Sequence, residues 1–217
     1  MTKLVFDEVG KRIYETGVSK GVLFVQDETG AYPKGIAWNS LTAVNESPSG
    51  AEANDQYADN MKYLSLTGAE NFEVTIEAFY SPPEFDVCDG MTEIAKGVNA
   101  HQQNRKSFGF AYQSIIGNDI KQNEYGTKLH LWYGCKAAPT ERSHSTVNDS
   151  PEPANPSWSI TSTPVDVPGH RPTSVLTVDS TKATPEKWSA LIDAIYGTAS
   201  SEPYLPTPAQ VIQLMQK

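Results

Sequence analysis

One run of the chain alternates strictly between apolar and polar side chains, and it constrains the fold more than any other feature. It spans residues 72–78, where the two sets are Phe72, Val74, Ile76 and Ala78 against Glu73, Thr75 and Glu77. A period of two indicates a strand with one buried face. The surrounding residues 35–93 therefore predict a strand, a long polar loop over residues 45–60, a second strand, a turn and this third strand.

The same stretch, residues 35–93, is strongly acidic. It holds eleven carboxylates and a single basic residue, Lys62, which gives a net charge of −10. The whole chain of 217 residues carries −9, so the remainder is close to neutral at +1. With a pI near 4.9 the chain lacks the basic footprint that a general nucleic-acid binder places on phosphates. The acidic stretch repels some partners and attracts others.

The rest of the chain predicts more strands and two helices. Runs rich in aromatic and β-branched residues predict strands over residues 21–25, 107–116, 128–135, 157–163 and 173–179. Apolar residues at helical spacing predict helices over residues 185–196 and 208–216, the first stopped by Gly197. We expect one mainly β domain, a sandwich or barrel with one flanking helix and one C-terminal helix. Residues 1–20 would form an N-terminal arm, and residues 198–217 a C-terminal arm and helix.

Motifs of catalytic chemistry are missing from the sequence. The four histidines lack the spacing of metal ligands to one another or to cysteine (His101, His130, His144 and His170). No nucleophile elbow and no phosphate-binding glycine loop is present. Glu73 and Glu77 would lie about 13 Å apart on one strand face, beyond the ~6.5–9.5 Å of an inverting carboxylate pair. We therefore expect no catalytic residue, no cofactor and no metal.

The two cysteines, Cys88 and Cys135, are expected to be free thiols. The N-terminus meets acidic residues too early for a secretory signal, and disulfides are rare in chains that are not exported. No apolar run approaches the ~20 residues that span a bilayer. The sequence thus predicts no membrane association.

A short motif occurs twice. TAVNESP over residues 42–48 is similar to STVNDSP over residues 145–151, and each follows a strand-like run. Two interpretations stay open. The motif is either a common way to leave a strand, since Asn, Ser and Pro favour turns, or it marks corresponding loops on the two halves of a sandwich.

Several segments together resemble the major tail proteins, or tail tube proteins, of long, non-contractile-tailed phages. The likeness covers most of the chain, and its segments are GIAWNSLTAVNESPSGAE (35–52), YADNMKY (57–63), EFDVCDG (84–90), QNRKSFG (103–109), IGND (116–119), STVNDSP (145–151), VDSTK (178–182) and YGT (196–198). The first twenty residues and the far C-terminus match least. The resemblance implies a tail-tube-type β-sandwich or barrel. Its subunits would form hexameric rings that stack into the tube through which the genome passes.

The resemblance also implies partners and a location. The principal partner would be the protein itself, and the tape measure, tail terminator and distal tail proteins would meet the tube. Genomic DNA would pass through without specific binding. The protein would be made in the host bacterial cytoplasm and reside in the virion, as part of the tail.

Two hypotheses about sites follow from the tube. The first is that Glu73 and Glu77 face the lumen, where carboxylates would repel DNA phosphates so that the genome slides. The second is that the loop over residues 45–60 reaches the neighbouring ring and orders on stacking. Its candidate stacking residues are Asn45, Glu46, Ser47, Pro48, Glu52, Asp55, Tyr57 and Asp59.

The main alternative is a monomeric carbohydrate-binding β-sandwich module. It would use exposed aromatic side chains as a sugar platform, with Trp38, Tyr57 and Trp132 as the candidates. A hydrolase that uses some of the carboxylates comes third. Self-association separates these alternatives, because a binding module or a hydrolase would remain a monomer.

Overall fold

The computed structural model of the chain describes residues 4–147, 149–150 and 152–216. The strands are β1 (Ile13–Val25), β2 (Gly35–Trp38), β3 (Leu41–Gly50), β4 (Ala53–Ala58), β5 (Met61–Thr67), β6 (Glu70–Ala78), β7 (Thr92–Ala95), β8 (Val98–Ala100), β9 (Phe108–Asn118), β10 (Gln122–Ala137), β11 (Ser157–Ser162) and β12 (Val175–Asp179). The helices are α1 (Pro185–Tyr196) and α2 (Pro208–Gln216), with a short 3-10 helix at Pro83–Phe85. The prediction of a mainly β fold with a flanking and a C-terminal helix is confirmed.

Eight of the strands form one antiparallel sheet. Its order is β2-β1-β9-β10-β11-β6-β3, and β12 pairs with β10 off this path. Strand β10 uses one edge twice, because residues 128–132 pair with β12 and residues 135–137 pair with β11. Gly134 stands at the change with φ 58°, and a Cβ there would lie 2.3 Å from the carbonyl oxygen of Thr163. Only glycine fits this position, so Gly134 lets β10 serve both halves of the sheet.

The sheet folds over on itself around an aromatic core. Trp38 of β2 packs edge to face on Trp158 of β11, with ring centroids 5.4 Å apart. Phe85, from the short 3-10 helix, lies 4.6 Å from the Trp38 ring and is fully buried. Strands β2 and β11 are not neighbours in the sheet, so their contact means that its two halves face each other as a sandwich.

Strand β6 alternates as its sequence predicts. Val74, Ile76 and Ala78 are at most 1% exposed and belong to the aromatic core, while Glu73 lies on the opposite, exposed face. The remaining strand predictions are also confirmed. Residues 107–116 and 128–135 belong to the antiparallel pair β9 and β10, and residues 157–163 and 173–179 contain β11 and β12.

The two helices pack on the face of the sheet that points away from the aromatic core. Leu191 and Ile195 of α1 and Val211 of α2 are buried against side chains of β1, β9 and β10. Helix α1 begins at Pro185, where the missing N–H is harmless because the first turn has no partner for it. It ends before Gly197, whose φ of 74° continues the chain in a conformation that favours glycine.

The prediction of a long loop over residues 45–60 is wrong. These residues form the second half of β3 and the whole of β4. Strand β3 pairs with β6 as far as Gly50, which lies opposite Glu70. It is an edge strand of the sheet, and an edge position accommodates Pro48 because only one side of the strand needs its N–H groups for pairing.

Three smaller predictions also change. The N-terminal arm predicted over residues 1–20 is shorter, since residues 13–20 belong to β1, which pairs with β9. The polar residues 94–106 contain part of an unpredicted hairpin, β7 with β8. The repeated motif does not mark two matching loops, because residues 42–48 lie in β3 whereas residues 145–147 have no regular structure. Asn148 and Pro151 of that motif lie outside the described residues.

Candidate assembly surface

A β-hairpin arm continues from the β3–β6 pair, and we define it as residues 51–69. It starts at Ala51, whose φ of 55° breaks the strand, and it contains β4 paired with β5. The tip residues Asp59 and Asn60 have φ values of 51° and 63°. Positive φ at both central residues is typical of the type I′ turn, whose twist suits a tight hairpin. Residues 51–60, which the sequence predicts as loop, therefore pair with the predicted strand that follows them and form a two-stranded arm.

The arm exposes apolar side chains to solvent. Tyr57 is 71% exposed, Tyr63 70%, Met61 62% and Leu66 57%. Leu64 and Leu66 are two residues apart on β5 and share one face of the hairpin. An isolated two-stranded hairpin is marginally stable in water, and a cluster of exposed apolar side chains indicates an interaction surface. The stacking residues predicted from the sequence do not include the apolar residues of β5, because the exposure of these side chains follows only from the placement of the strands.

The opposite face of the arm carries a polar contact that fixes its register. Lys62 Nζ lies 2.7 Å from Asp55 Oδ1, and the Ser65 hydroxyl donates to the same oxygen at 2.7 Å. The hydrogen bond from Lys62 is the largest cause that holds the pKa of Asp55 below its ordinary value. Of the predicted stacking residues, Asp55 thus supports the hairpin itself, while Tyr57 and Asp59 stand at its tip and Glu52 at its base.

Glu73 and Glu77 lie on the outer face of β6. Glu73 pairs with Ser47 of β3, and Glu77 accepts hydrogen bonds from Asn45 Nδ2 at 3.1 Å and Asn155 Nδ2 at 3.0 Å. Strands β3, β6 and β11 contain no lysine or arginine. Across these three strands the face is therefore polar and negatively charged, as the lumen hypothesis requires, and the nearest lysine along the row of Glu73 is Lys136 of β10, which pairs with Thr161. The direction in which the face points in an assembly remains a prediction.

Glu46 is one of the predicted stacking residues, but its side chain is not available for stacking. It pairs with the buried Val74, so its side chain points into the sandwich rather than outward. There it accepts a hydrogen bond of 2.5 Å from the Tyr112 hydroxyl, and its Oε1 lies 3.2 Å from His130 Nδ1. Strand β3 is not adjacent to β9 or β10 in the sheet. The contact of Glu46 with Tyr112 and His130 therefore joins the two halves of the sandwich, four residues before β3 ends at Gly50 and the arm begins.

His130 lies at the centre of this polar cluster. Its ring stacks on the Tyr112 ring at 4.4 Å between centroids and 7° between planes. Its Nε2 lies 3.0 Å from Ser114 Oγ and 3.4 Å from Glu15 Oε1. Ser114 donates to Glu15 at 2.6 Å, and Lys128 forms an ion pair with the other oxygen of Glu15. No local sequence signal marks this cluster, because only the folded topology brings these groups together.

The cluster does not form a nucleophilic site despite its serine, histidine and carboxylate. The Ser114 hydroxyl gives its proton to Glu15, whereas a nucleophile gives it to the histidine. Ser114 is also only 6% exposed. Within the described part of the chain, no group of three His, Cys, Asp or Glu side chains is arranged to hold a metal ion.

The aromatic and cysteine side chains are mostly core residues. Trp38 and Trp132 are 1% and 0% exposed, so neither can serve as a sugar platform, and Tyr57 alone of the three candidates is exposed. Cys88 and Cys135 are free, as predicted, and buried. Neither helix in the described ranges is long and apolar enough to cross a bilayer.

Comparisons with known proteins give only distant likenesses. No protein-family model and no curated protein matches the sequence. The chain is similar to a chain in the cryo-EM structure of the anti-feeding prophage baseplate (9% identity, TM-score 0.41, covering 82% of this chain and 99% of that one). It is also similar to chains in two structures of an extracellular contractile injection system, PVC. One is the sheath/tube terminator in its extended state, with 13% identity and a TM-score of 0.34, covering 81% of this chain and 99% of that one. The other is the sheath–tube complex in its extended state, with 14% identity and a TM-score of 0.32, covering 73% of this chain and 88% of that one. At these identities and scores the likenesses carry no argument about function.

Proposed function

We propose that this protein is a structural virion subunit that polymerises into a phage tail tube. Copies would join side by side in hexameric rings, and the rings would stack into the hollow tube that conducts DNA during ejection. The observation that carries the proposal is the arm, a preformed hairpin that continues from the β3–β6 edge and exposes apolar side chains. A monomer gains nothing from such an arm, whereas a neighbouring copy gives its apolar side chains a surface on which to bury.

The energetics of the arm favour docking. Burying an apolar side chain such as Leu64 or Leu66 fully is worth about 1.5–3 kcal/mol. The hairpin is already formed, so less conformational entropy is lost on binding than for a disordered loop. A head-to-tail contact made once per subunit is repeated around a ring and between rings. Modest pairwise affinity can therefore produce a stable assembly.

The sequence resemblance to tail tube proteins and the acidic outer face of β6 support the same proposal. In the tube, Glu73 and Glu77 would face the lumen and repel the DNA backbone, which keeps the passing genome from binding. The ends of the tube would meet the tape measure, terminator and distal tail proteins that the resemblance implies. A carbohydrate-binding function has lost its principal support, because Trp38 and Trp132 are buried.

The experiment that tests the proposal removes the arm. Residues 51–69 are replaced by Asn-Gly, which favours a tight type I′ turn, so that Gly50 of β3 and Glu70 of β6 flank a two-residue turn. We expect a folded monomer with unchanged thermal melting, and no rings or tubes in negative-stain images at concentrations where the wild type assembles. The matched control replaces only Asp59 and Asn60 with Asn-Gly, which keeps the turn type. Tubes of ordinary length without the arm would refute the proposed docking role.

A further inference from the structure

A cavity of about 450 Å³ lies at the base of the arm. One wall is formed by the end of the arm at Ala69, and the other by the loop between β11 and β12, residues 163–174. This loop is held in place because Val165 and Thr173 exchange two backbone hydrogen bonds, of 2.9 and 3.0 Å. Ligand pockets of about 300–1,000 Å³ accommodate a drug-sized molecule. The cavity is therefore large enough for one aromatic side chain.

The lining combines apolar walls with a hydroxyl that has no partner. Phe72, Pro164 and Pro172 supply apolar surface. Ser174 also lines the cavity and is 2% exposed, and its hydroxyl has no hydrogen-bond partner within the described part of the chain. A buried polar group without a partner costs free energy. The lining therefore suits an occupant that is apolar along its body and polar at its end, which is the form of a tyrosine side chain.

The arm of a second copy offers such a side chain. Tyr57 is 71% exposed and lies two residues before Asp59 of the tip. It does not line the cavity of its own chain, because it lies four residues beyond Ala53, about 13 Å along the strand. Leu64 and Leu66 lie on the other face of the hairpin and remain available for the apolar contact of the proposed function. A side chain and a matching cavity on one chain produce a head-to-tail contact between copies.

Charges on the two surfaces are complementary. Arg171 and Glu70 are the charged residues of the lining, and neither has an ion-pair partner among the described residues. Asp59 at the tip of the arm has no hydrogen-bond or ion-pair partner within the same ranges. Lys62, which lies opposite Tyr57, is still 53% exposed although it forms an ion pair within the arm. Asp59 can thus meet Arg171 while Lys62 meets Glu70, which gives the docked tip a preferred orientation.

We propose that this cavity is the receptor for the tip of the arm of a second copy. Tyr57 of one copy fills the cavity and reaches the Ser174 hydroxyl of the next, and Asp59 pairs with Arg171 at the exposed rim. The contact rests on the proposed function, because it names the surface on which the arm docks. Each copy both inserts a tip and offers a cavity, so the contact repeats from copy to copy.

Cross-linking between two introduced cysteines tests the contact. In Asp59→Cys with Arg171→Cys, oxidation by diamide should link successive copies into a ladder of dimers, trimers and longer chains on non-reducing gels. The native thiols do not interfere, since Cys88 and Cys135 are buried. The matched control is Asp59→Cys with Lys96→Cys, at the exposed tip of the β7–β8 hairpin. It should link roughly tenfold more slowly, because no docking raises the local concentration of its thiols.

The role of Tyr57 is tested in the same double-cysteine background. Tyr57→Ala should slow formation of the ladder roughly tenfold, because it removes the side chain that fills the cavity. Tyr80→Ala is the matched control, since Tyr80 is also 71% exposed but lies outside the arm. It should leave the cross-linking rate unchanged.

The charge pair is tested by exchange, without introduced cysteines. Asp59→Arg and Arg171→Asp should each raise the concentration at which the chain associates in sedimentation velocity roughly tenfold. The chain with both substitutions should associate as the wild type does. Neutralising Asp59, as in the Asn-Gly control of the arm deletion, removes one exposed pair and should weaken association by no more than roughly fivefold.

A ladder no faster than the control, full-rate linking in Tyr57→Ala, or charge reversals that do not compensate each other would overturn the receptor. Negative-stain images of the wild type are recorded separately. Tubes from the wild type with no ladder from the double-cysteine variant would contradict the receptor and leave the proposed function standing. A ladder from a chain that forms neither rings nor tubes would do the reverse.

Discussion

Trp38 and Trp158 meet edge to face, with ring centroids 5.4 Å apart, although three strands separate β2 from β11 in the order of the sheet. This contact is where the two halves of the sandwich close. Phe85 completes it, at 5.9 Å from Trp158, so a short 3-10 helix seals the core between the halves. The closure brings β3 over β9 and β10, which places Glu46 against His130 and sets the position from which the arm extends.

The contact between Trp38 and Trp158 should make a large contribution to the free energy of unfolding. Trp158→Ala would remove a side chain that is 2% exposed and leave a cavity between the halves, so we expect a loss of about 3–5 kcal/mol in the free energy of unfolding. Urea unfolding followed by fluorescence measures it. Tyr57→Ala, on the exposed arm, is the control and should change stability by no more than about 0.5 kcal/mol. Equal effects of the two substitutions would show that the halves do not close on Trp158.

The apolar face of the arm should govern association and not folding. Leu64→Ser combined with Leu66→Ser should leave the melting temperature almost unchanged, because both side chains are exposed in the monomer. The variant should nevertheless remain monomeric in sedimentation velocity where the wild type forms larger species. Val98→Ser, on the separate β7–β8 hairpin and 51% exposed, is the matched control. Association that survives the double substitution would place the contact elsewhere.

The acids on the outer face of β6 should matter for DNA passage and not for assembly. Glu73→Gln with Glu77→Gln preserves hydrogen-bonding oxygens for Asn45 and Asn155 while removing two negative charges. We expect phage tails of normal length whose DNA ejection is slowed, because the wall no longer repels phosphates as strongly. Ejection is followed by fluorescence of a DNA-binding dye. Unchanged ejection kinetics would contradict the lumen assignment.

Acid should destabilise the protein through Glu46. The His130 ring, and after it the Tyr112 hydroxyl, hold the pKa of this carboxyl below its ordinary value of 4.5, although burial opposes them. A lowered folded-state pKa contributes stability that is present above pH 4.5 and is lost as the pH falls through the folded value. Urea midpoints measured downward from pH 6 should therefore fall less steeply for Glu46→Gln than for wild type. Parallel pH profiles would show that Glu46 is not coupled to folding.

The thiols should be inert until the protein unfolds. Burial raises the pKa of Cys88 to about 12, and burial also raises the pKa of Cys135. Thiolate is the reactive form, so iodoacetamide at pH 8 should label neither cysteine in the native state and both after unfolding without reductant. Mass spectrometry counts the labels. Rapid native labelling would contradict the burial, and absent labelling after unfolding would indicate a disulfide.

The parts of the fold that the sequence predicts are those with local signals. The sequence predicts β6 because its period of two places Val74 and Ile76 on one face, and it predicts α1 because Pro185 and Gly197 mark its ends. The second half of β3 has no such local signal. Asn45 to Gly50 has turn-forming residues, and pairing with β6 at a sheet edge overrides that local preference.

The candidate sites divide in the same way. The acidic outer face of β6 follows from alternation and charge, which are visible in sequence. The polar cluster does not, because Glu15, Glu46 and His130 are far apart in the chain and meet only when the sandwich closes. The apolar residues of the arm look like an ordinary buried strand until the topology shows that nothing in the described part of the monomer covers them.

Self-association is the central claim, and negative-stain electron microscopy of the concentrated wild-type protein tests it most directly. The account predicts rings whose end-on averages have sixfold symmetry, and side views of tubes built from stacked rings. Isolated particles of monomer size at every concentration, with or without the phage's own tail proteins, would contradict it.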